Sequence, residues 1–287
     1  MYHEYTQEQL RAYCRTYIET LEIWARQLIH EKMTEKYGDN FIFLQLEDGN
    51  FLVQKEIRDH VSYMLSISPE RFCKPIDALF IDQLVYFLCN EKWYKELFKE
   101  SLDYAYSQGR MEASEFLKRL IPIRNPLSHS NPVTMHDVER AICYSHDFIE
   151  GLKKYYKHRG EEHMWNVPKI LKVRDSLGNV FENASEEGAL GAYFDLKQNF
   201  NCGDVYSVEV EIDSSFAFDS YNIQWAINAV EIKDFKDKTK FTVKFNSKDV
   251  GASKSISCLV KSKKDWHKYN GHDSKILLHF AVLPPIE

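Results

Sequence analysis

No apolar run in this chain approaches the roughly eighteen residues that a membrane-spanning helix needs, and the polar, acidic start Met1-Tyr2-His3-Glu4 gives no sign of a signal-peptide core. Both point to a cytoplasmic protein. No Cys-x-x-Cys occurs: Cys14, Cys73, Cys89, Cys143, Cys202 and Cys258 are scattered. That spacing fits reduced thiols better than a disulfide frame or a zinc site. Cys202 and Cys258 are the pair that could face each other across a β-sandwich, with buried free thiols as the other reading. There is no G-x-x-x-x-G-K-S/T and no G-x-G-x-x-G, so nothing points to an NTPase or a dinucleotide enzyme. There is no H-E-x-x-H either. His136 and His146 follow His129 without the i, i+4 spacing of a helical metal pair and read as solvated positions, so neither metal nor cofactor is expected. A broad basic surface is also missing. The net charge is −6, residues 1–165 hold 21 Lys and Arg against 26 Asp and Glu, and residues 166–287 hold 16 against 17. A nucleic acid, if bound, must be gripped through few phosphate contacts.

What the chain does have is enough apolar material for two domains: 287 residues, 44% hydrophobic and 14% aromatic. Up to about residue 158 the apolar residues recur at three and four. Tyr17, Leu21, Trp24, Leu28 and Met33 mark a long first helix, and Ile57, Val61, Met64 and Leu65 a second. Leu79–Leu88 and Trp93–Leu102 read as a third helix or two, broken around Asn90. Asp77 and Asp82 there are surface or cap residues. A last helix runs through Val138, Ile142, Ser145, Ile149, Leu152 and Tyr156, with Thr134 as N-cap and Asp137 in its first turn. Between Asn40 and Val53, Asp48-Gly49-Asn50 suggests a turn joining two short extended pieces.

Lys157-His158-Arg159-Gly160-Glu161-Glu162 is the candidate linker. Beyond it the period becomes two. Lys169–Arg174, a turn at 175–179, Val180-Phe181, Val205–Ile212, Tyr221–Trp225, Lys240–Phe245, Ile256–Val260 and Lys275–Val282 alternate as short strands. Their spacing predicts a β-sandwich, and Trp225 with Cys258 sits as in an immunoglobulin-like core. Trp266-His267-Lys268-Tyr269, after Lys261–Lys264, makes a basic, aromatic loop, either a solvated hairpin or a nucleic-acid contact. The expected fold class is thus α+β in two domains: residues 1–158 all-α, and 166–287 an all-β immunoglobulin-like sandwich.

The segment with chemistry in it is Arg124-Asn125-Pro126-Leu127-Ser128-His129. Pro126 is expected to interrupt any helix between arginine and histidine, leaving both at the entrance of the last helix and facing one cleft. Histidine moves protons near neutral pH, and arginine matches a phosphate with a planar fork of donors. The competing role for Arg124 is to cap the carbonyls ending the preceding helix. Asn125 either orients a phosphate or begins a turn; Ser128 and Ser130 either help hold RNA or are ordinary loop residues.

Arg-Asn-Pro-Leu-Ser-His fits the R-x4-6-H motif of the HEPN superfamily, including the polar residue after the arginine. The motif follows a short helix, Glu112–Leu120, and precedes a long one, Val133–Tyr156, while Tyr17–Asn40 looks like a first long HEPN helix. The resemblance covers about the first 160 residues. It implies a helical ribonuclease domain with the motif at a homodimer interface, and places Arg124, His129 and Asn125 in catalysis with Ser128 and Ser130 toward the substrate. The implied activity is metal-independent RNA cleavage by a toxin or defence effector, its β domain a sensor or a recruitment module for a partner protein. Cleavage by the 2′-hydroxyl needs one group to take a proton, one to give a proton and one to steady the phosphorane charge. One Arg124–His129 pair is short of one proton carrier, which a two-fold dimer supplies. The alternative is a non-catalytic HEPN-like dimer acting as scaffold or nucleotide-binding module.

Overall fold

A computed structural model describes residues 5–69, 72, 74–128, 132–182, 191–269 and 271–285. The chain divides into two compact units, Met1–Arg159 and Gly160–Glu287.

In the first unit, Thr6 starts α1 (Gln7–Tyr37) with a capping box in which its hydroxyl accepts from Gln9 N–H and the Gln9 side chain accepts from Thr6 N–H. Leu10, Cys14, Ile18, Leu21, Ala25, Leu28 and Ile29 bury one face of α1, each large apolar side chain being worth about 1.5–3 kcal/mol on full burial. The helix begins ten residues before the expected start because its first turns carry few apolar residues. The 40–53 stretch holds a 3-10 turn, Phe41–Phe43, and one isolated bridge, Gln45 to Phe51, around a turn with Gly49 at φ +83°. This is less than the two extended pieces expected.

α2 (Lys55–Ile67) and α3 (Ile81–Cys89) follow. Asn90 breaks the helix as expected: its side chain accepts from the N–H groups of Lys92 and Trp93 and starts α4 (Glu91–Trp93), which runs through a π turn, Tyr94–Phe98, into α5 (Lys99–Leu102). α6 (Arg110–Lys118) leads to α7 (Ile121–Ser128) and then to α8 (Met135–His158), which Thr134 and Asp137 cap reciprocally. α8 packs along α1, and Gly151 lets it approach the chain after α5: a Cβ there would lie 2.6 Å from that of Ala105.

The second unit opens with α9 (Glu162–Trp165) and has, among the described residues, nine strands: β1 (Ile170–Asp175), β2 (Val180–Glu182), β3 (Ala192–Asn201), β4 (Val205–Ile212), β5 (Tyr221–Ile227), β6 (Val230–Glu231), β7 (Lys240–Lys244), β8 (Gly251–Ser262) and β9 (Ser274–Leu283). They form a four-stranded sheet, β2-β1-β4-β7, and a five-stranded sheet, β3-β9-β8-β5-β6, in which β3 runs parallel to β9. One hydrophobic core takes Val173, Tyr206, Val208 and Val210 from the first sheet and Ile223, Trp225, Cys258, Leu278 and Phe280 from the second. The Trp225 and Phe241 rings stack between the sheets at 5.3 Å.

Of the two readings of Cys202 and Cys258, free thiols hold. Cys202 and Cys258 do not face each other: Cys258 is fully buried, while Cys202 is partly exposed with its Sγ 3.6 Å from the Leu283 carbonyl, and both are free. Trp225 and Cys258 are both fully buried in the core, as expected, and are register partners on adjacent strands of one sheet. The basic, aromatic loop is tied internally. The buried Asp273 carboxylate accepts from Ser262 N–H, His267 Nδ1–H and Lys268 N–H, and Lys264 reaches Glu162 at 3.0 Å while lying 4.3 Å over Trp266.

Candidate functional site

α7 forms because it has an apolar stripe and tolerates its first proline. Leu120, Ile123 and Leu127 are buried at i, i+3 and i+7 spacing and pack toward α1 and α3. Pro122 occupies the first turn, where a missing N–H costs nothing. Pro126 does not interrupt the segment as expected. The helix runs through it to Ser128, losing only the bond Pro126 would have donated to the Pro122 carbonyl. Arg124 therefore sits within a helical turn, its N–H donating to the Leu120 carbonyl at 3.0 Å.

The Arg124 side chain is half-buried, and its guanidinium carbon lies 4.3 Å from the Phe80 ring centroid. Among the described residues it makes no hydrogen bond or ion pair, so the helix-capping role is not adopted. Arg26, Arg119 and Arg174 behave differently, pairing with Glu22, Glu115 and Glu211. Asn125 is exposed beside Arg124. Ser128 ends α7; His129 and Ser130 lie outside the described residues.

Phe80 is itself fixed from below. Its N–H donates to Gln83 Oε1 at 2.7 Å, and the next N–H, of Ile81, donates to the buried Glu22 carboxylate at 3.1 Å. Glu22 thus satisfies an orphan donor at the start of α3 and complements that helix's dipole. Arg26 neutralises Glu22 at 2.7 Å and donates Nε–H to the Leu79 carbonyl at 2.9 Å.

A residue that the sequence did not single out meets the same ring. His60, on α2, packs edge-on against Phe80 at 5.0 Å, and its Nε2 lies 3.1 Å from the Ala78 carbonyl. A carbonyl only accepts, so Nε2 carries a proton, and in the neutral ring Nδ1 is the acceptor. No local motif marks His60. The signal is the fold itself, which sets the turn before α3 against α2.

The remaining sequence candidates fall elsewhere. His136 is exposed and pairs with Glu139 at 3.4 Å, and His146 is exposed and packs edge-on to Tyr17 at 5.4 Å. Asp77 accepts from Lys74 N–H as a cap, and Asp82 is exposed. Among the described residues no group of three or more His, Cys, Asp or Glu is placed to hold a metal ion, and no helix is long and apolar enough to cross a membrane.

No protein-family model matches the chain, and no curated protein matches it. Among solved structures, it is similar to the CARDB domain of a Pyrococcus furiosus protein, at 12% identity, 41% coverage of this chain, 96% coverage of that one and a TM-score of 0.25. A likeness that loose carries no argument about this chain.

Proposed function

We propose that the first unit is a HEPN-like ribonuclease domain and the second an immunoglobulin-like module, together a metal-independent RNA endonuclease of the toxin or defence type acting in the cytoplasm. The observation that carries this reading is Arg124. A half-buried guanidinium, held over an aromatic face and given no carboxylate among the described residues, keeps its fork free for a phosphate. Asn125, exposed beside it, suits the same phosphate, and Ser128 and Ser130 the flanking nucleotides.

In this scheme the 2′-hydroxyl attacks its neighbouring phosphorus as a base removes its proton. Arg124 steadies the phosphorane, and His129 protonates the departing 5′-oxygen. The products are a 2′,3′-cyclic phosphate and a 5′-hydroxyl. The family resemblance sets this chemistry in a homodimer formed by the helical units, and the β unit is left to a partner protein or a trigger.

Stacking on Phe80 also gives Arg124 a structural task, which favours a second reading: a non-catalytic dimeric scaffold or nucleotide-binding module. Incubating the purified protein with total RNA, with and without EDTA, beside a His129→Ala variant separates the two. Cleavage that survives EDTA and disappears in the variant is expected. Cleavage that needs a divalent ion, or that the variant retains, refutes the acid–base scheme, and no cleavage at all leaves the scaffold.

A further inference from the structure

We infer that the second unit carries an acyl-transfer site of its own, with Ser253 as nucleophile and His279 as its base, that hydrolyses small carboxylic esters. The inference is independent of the ribonuclease reading. It stands on three neighbouring strands, β3, β9 and β8, of the five-stranded sheet.

His279, on the middle strand, is in register with Asp195 on β3 and with Ser255 on β8. The alternate residues of β9, Ile276, Leu278 and Phe280, are buried in the core, so His279 stands on the outer face. Its two ring nitrogens meet different partners there. Nε2 lies 3.0 Å from Ser253 Oγ, and Nδ1 lies 3.8 Å from Asp195 Oδ1. A carboxylate only accepts, so the proton belongs on Nδ1 and the Nε2 lone pair faces the Ser253 hydroxyl. The Asp195 contact is longer than a hydrogen bond, as such contacts often are before substrate binds. Tyr193 stacks on the imidazole, with centroids 6.0 Å apart and 30° between the planes, and so fixes the ring. A nucleophile in hydrogen-bond reach of a base, and a third group that orients the base, is the arrangement covalent catalysis needs.

Ser253 is exposed. Its strand slips register with β9 between Gly251 and Lys254 and runs past β5, whose register ends at Ile256. A bulge re-aims a side chain and leaves a residue outside the ladder. A backbone N–H released in this way, next to the nucleophile, is the donor that an acyl oxyanion requires. An open sheet face suits a small acyl group, which needs no tunnel.

The reaction balances. Ser253 Oγ gives its proton to His279 Nε2 and its electron pair to the acyl carbon. The bond from that carbon to the alcohol oxygen breaks, and the departing oxygen takes the proton from Nε2. Water then attacks the acyl-serine, giving a proton to Nε2. The carboxylic acid leaves, and Ser253 Oγ recovers its proton.

The full-length protein is treated with a fluorophosphonate, which reacts with activated serines, and separately with p-nitrophenyl acetate. Ser253 should carry the label, located by peptide mass spectrometry, and p-nitrophenolate should be released. Ser253→Ala should abolish both, and His279→Gln should slow both by about 10²- to 10⁴-fold. Asp195 is a positioning residue. Asp195→Asn keeps an acceptor for the Lys197 N–H, now 3.0 Å from Oδ1, and removes the charge. It should lower kcat less than His279→Gln does and leave KM unchanged, with Asp195→Glu restoring part of the loss. Circular dichroism is the fold control, and wild-type protein unfolded in urea is a control that needs no variant, since unfolding should abolish labelling. No label on Ser253, phenolate release that Ser253→Ala retains, or labelling that His279→Gln leaves unchanged overturns the site. Equal labelling of native and unfolded protein overturns it too.

Discussion

Arg124→Ala separates a catalytic guanidinium from a structural one because the two roles differ widely in size. As a strut, Arg124 contributes one cation–π contact at a half-exposed position, with its guanidinium carbon 4.3 Å from the Phe80 centroid and no ion pair among the described residues. Such a contact is worth about 0.5–1 kcal/mol, which for a unit of this size lowers the melting temperature by about 1–4 °C. A domain with the usual margin of about 5–15 kcal/mol stays almost wholly folded after that loss. As the group that steadies a phosphorane, Arg124 is worth about 10²- to 10³-fold in rate, or about 2.7–4 kcal/mol. The stability loss is therefore too small to produce the rate loss. The assay is single-turnover cleavage of a labelled RNA beside a thermal melt, for Arg124→Ala, Arg124→Lys and Phe80→Leu. Arg124→Ala should lose rate and keep nearly all its stability. Arg124→Lys should recover only part of the rate, since an ammonium has the charge without the fork. Phe80→Leu, which removes the platform and leaves the charge, should cost less rate than Arg124→Ala. A wild-type rate in Arg124→Ala takes the residue out of the mechanism. Rate losses that merely follow the melting temperatures across all three variants make it a strut.

Gly151→Ala should destabilise the helical unit by about 1–3 kcal/mol, because the new Cβ would lie 2.6 Å from Ala105 Cβ and 2.8 Å from its nitrogen; an unchanged melt would mean that α8 and the 105 region part freely. Alkaline pH should unfold the protein. Burial, first of all, raises the hydroxyls of Tyr106, Tyr156 and Tyr206 and lifts Tyr94 to about 12, so their contribution is complete below the ordinary tyrosine value near 10 and erodes above it. Full tyrosine ionisation with the native circular dichroism intact would contradict this. Mixing wild-type protein with excess Arg124→Ala/His129→Ala should give dominant inhibition, because one chain is short of a proton carrier that a two-fold dimer supplies. Activity that merely tracks the amount of wild-type chain, with chain exchange confirmed, would give each subunit a complete site.

The helices were legible where packing and local chemistry agree. Thr134 and Asp137 were readable as a cap pair, and they cap α8 reciprocally. Asn90 was readable as a break, and its side chain starts α4. In the β unit, strands that alternate over a single buried face were found. β3 was not, because its central Asp195, Lys197, Gln198 and Asn199 are polar and exposed, leaving Leu196 alone to mark the inner face. The pairing with β9 slips between Asp195 and Asn199, and Lys197 takes φ +50° there, so the period of two is broken within the strand. Parallel pairing with β9, the last strand, is a long-range fact that no window of sequence contains.

Around Arg124 the limit of sequence reading was of another kind. Pro126 looked like a breaker because a proline removes one donor and presses on the preceding turn. The segment is helical all the same, since burying Leu120, Ile123 and Leu127 against α1 and α3 outweighs one missing hydrogen bond. That outcome turns Arg124 from a loop residue into one held at a fixed point on a packed helix. The partners of that fixed point are set by residues far apart in the chain. Glu22 on α1 holds the start of α3, the start of α3 holds Phe80, and Phe80 meets both Arg124 and His60. A count of nearby proton carriers made along the sequence stops at His136 and His146, which the helix carries out to solvent. His60 meets the same Phe80 ring from sixty-four positions before Arg124, a neighbour that no local spacing in the sequence could place.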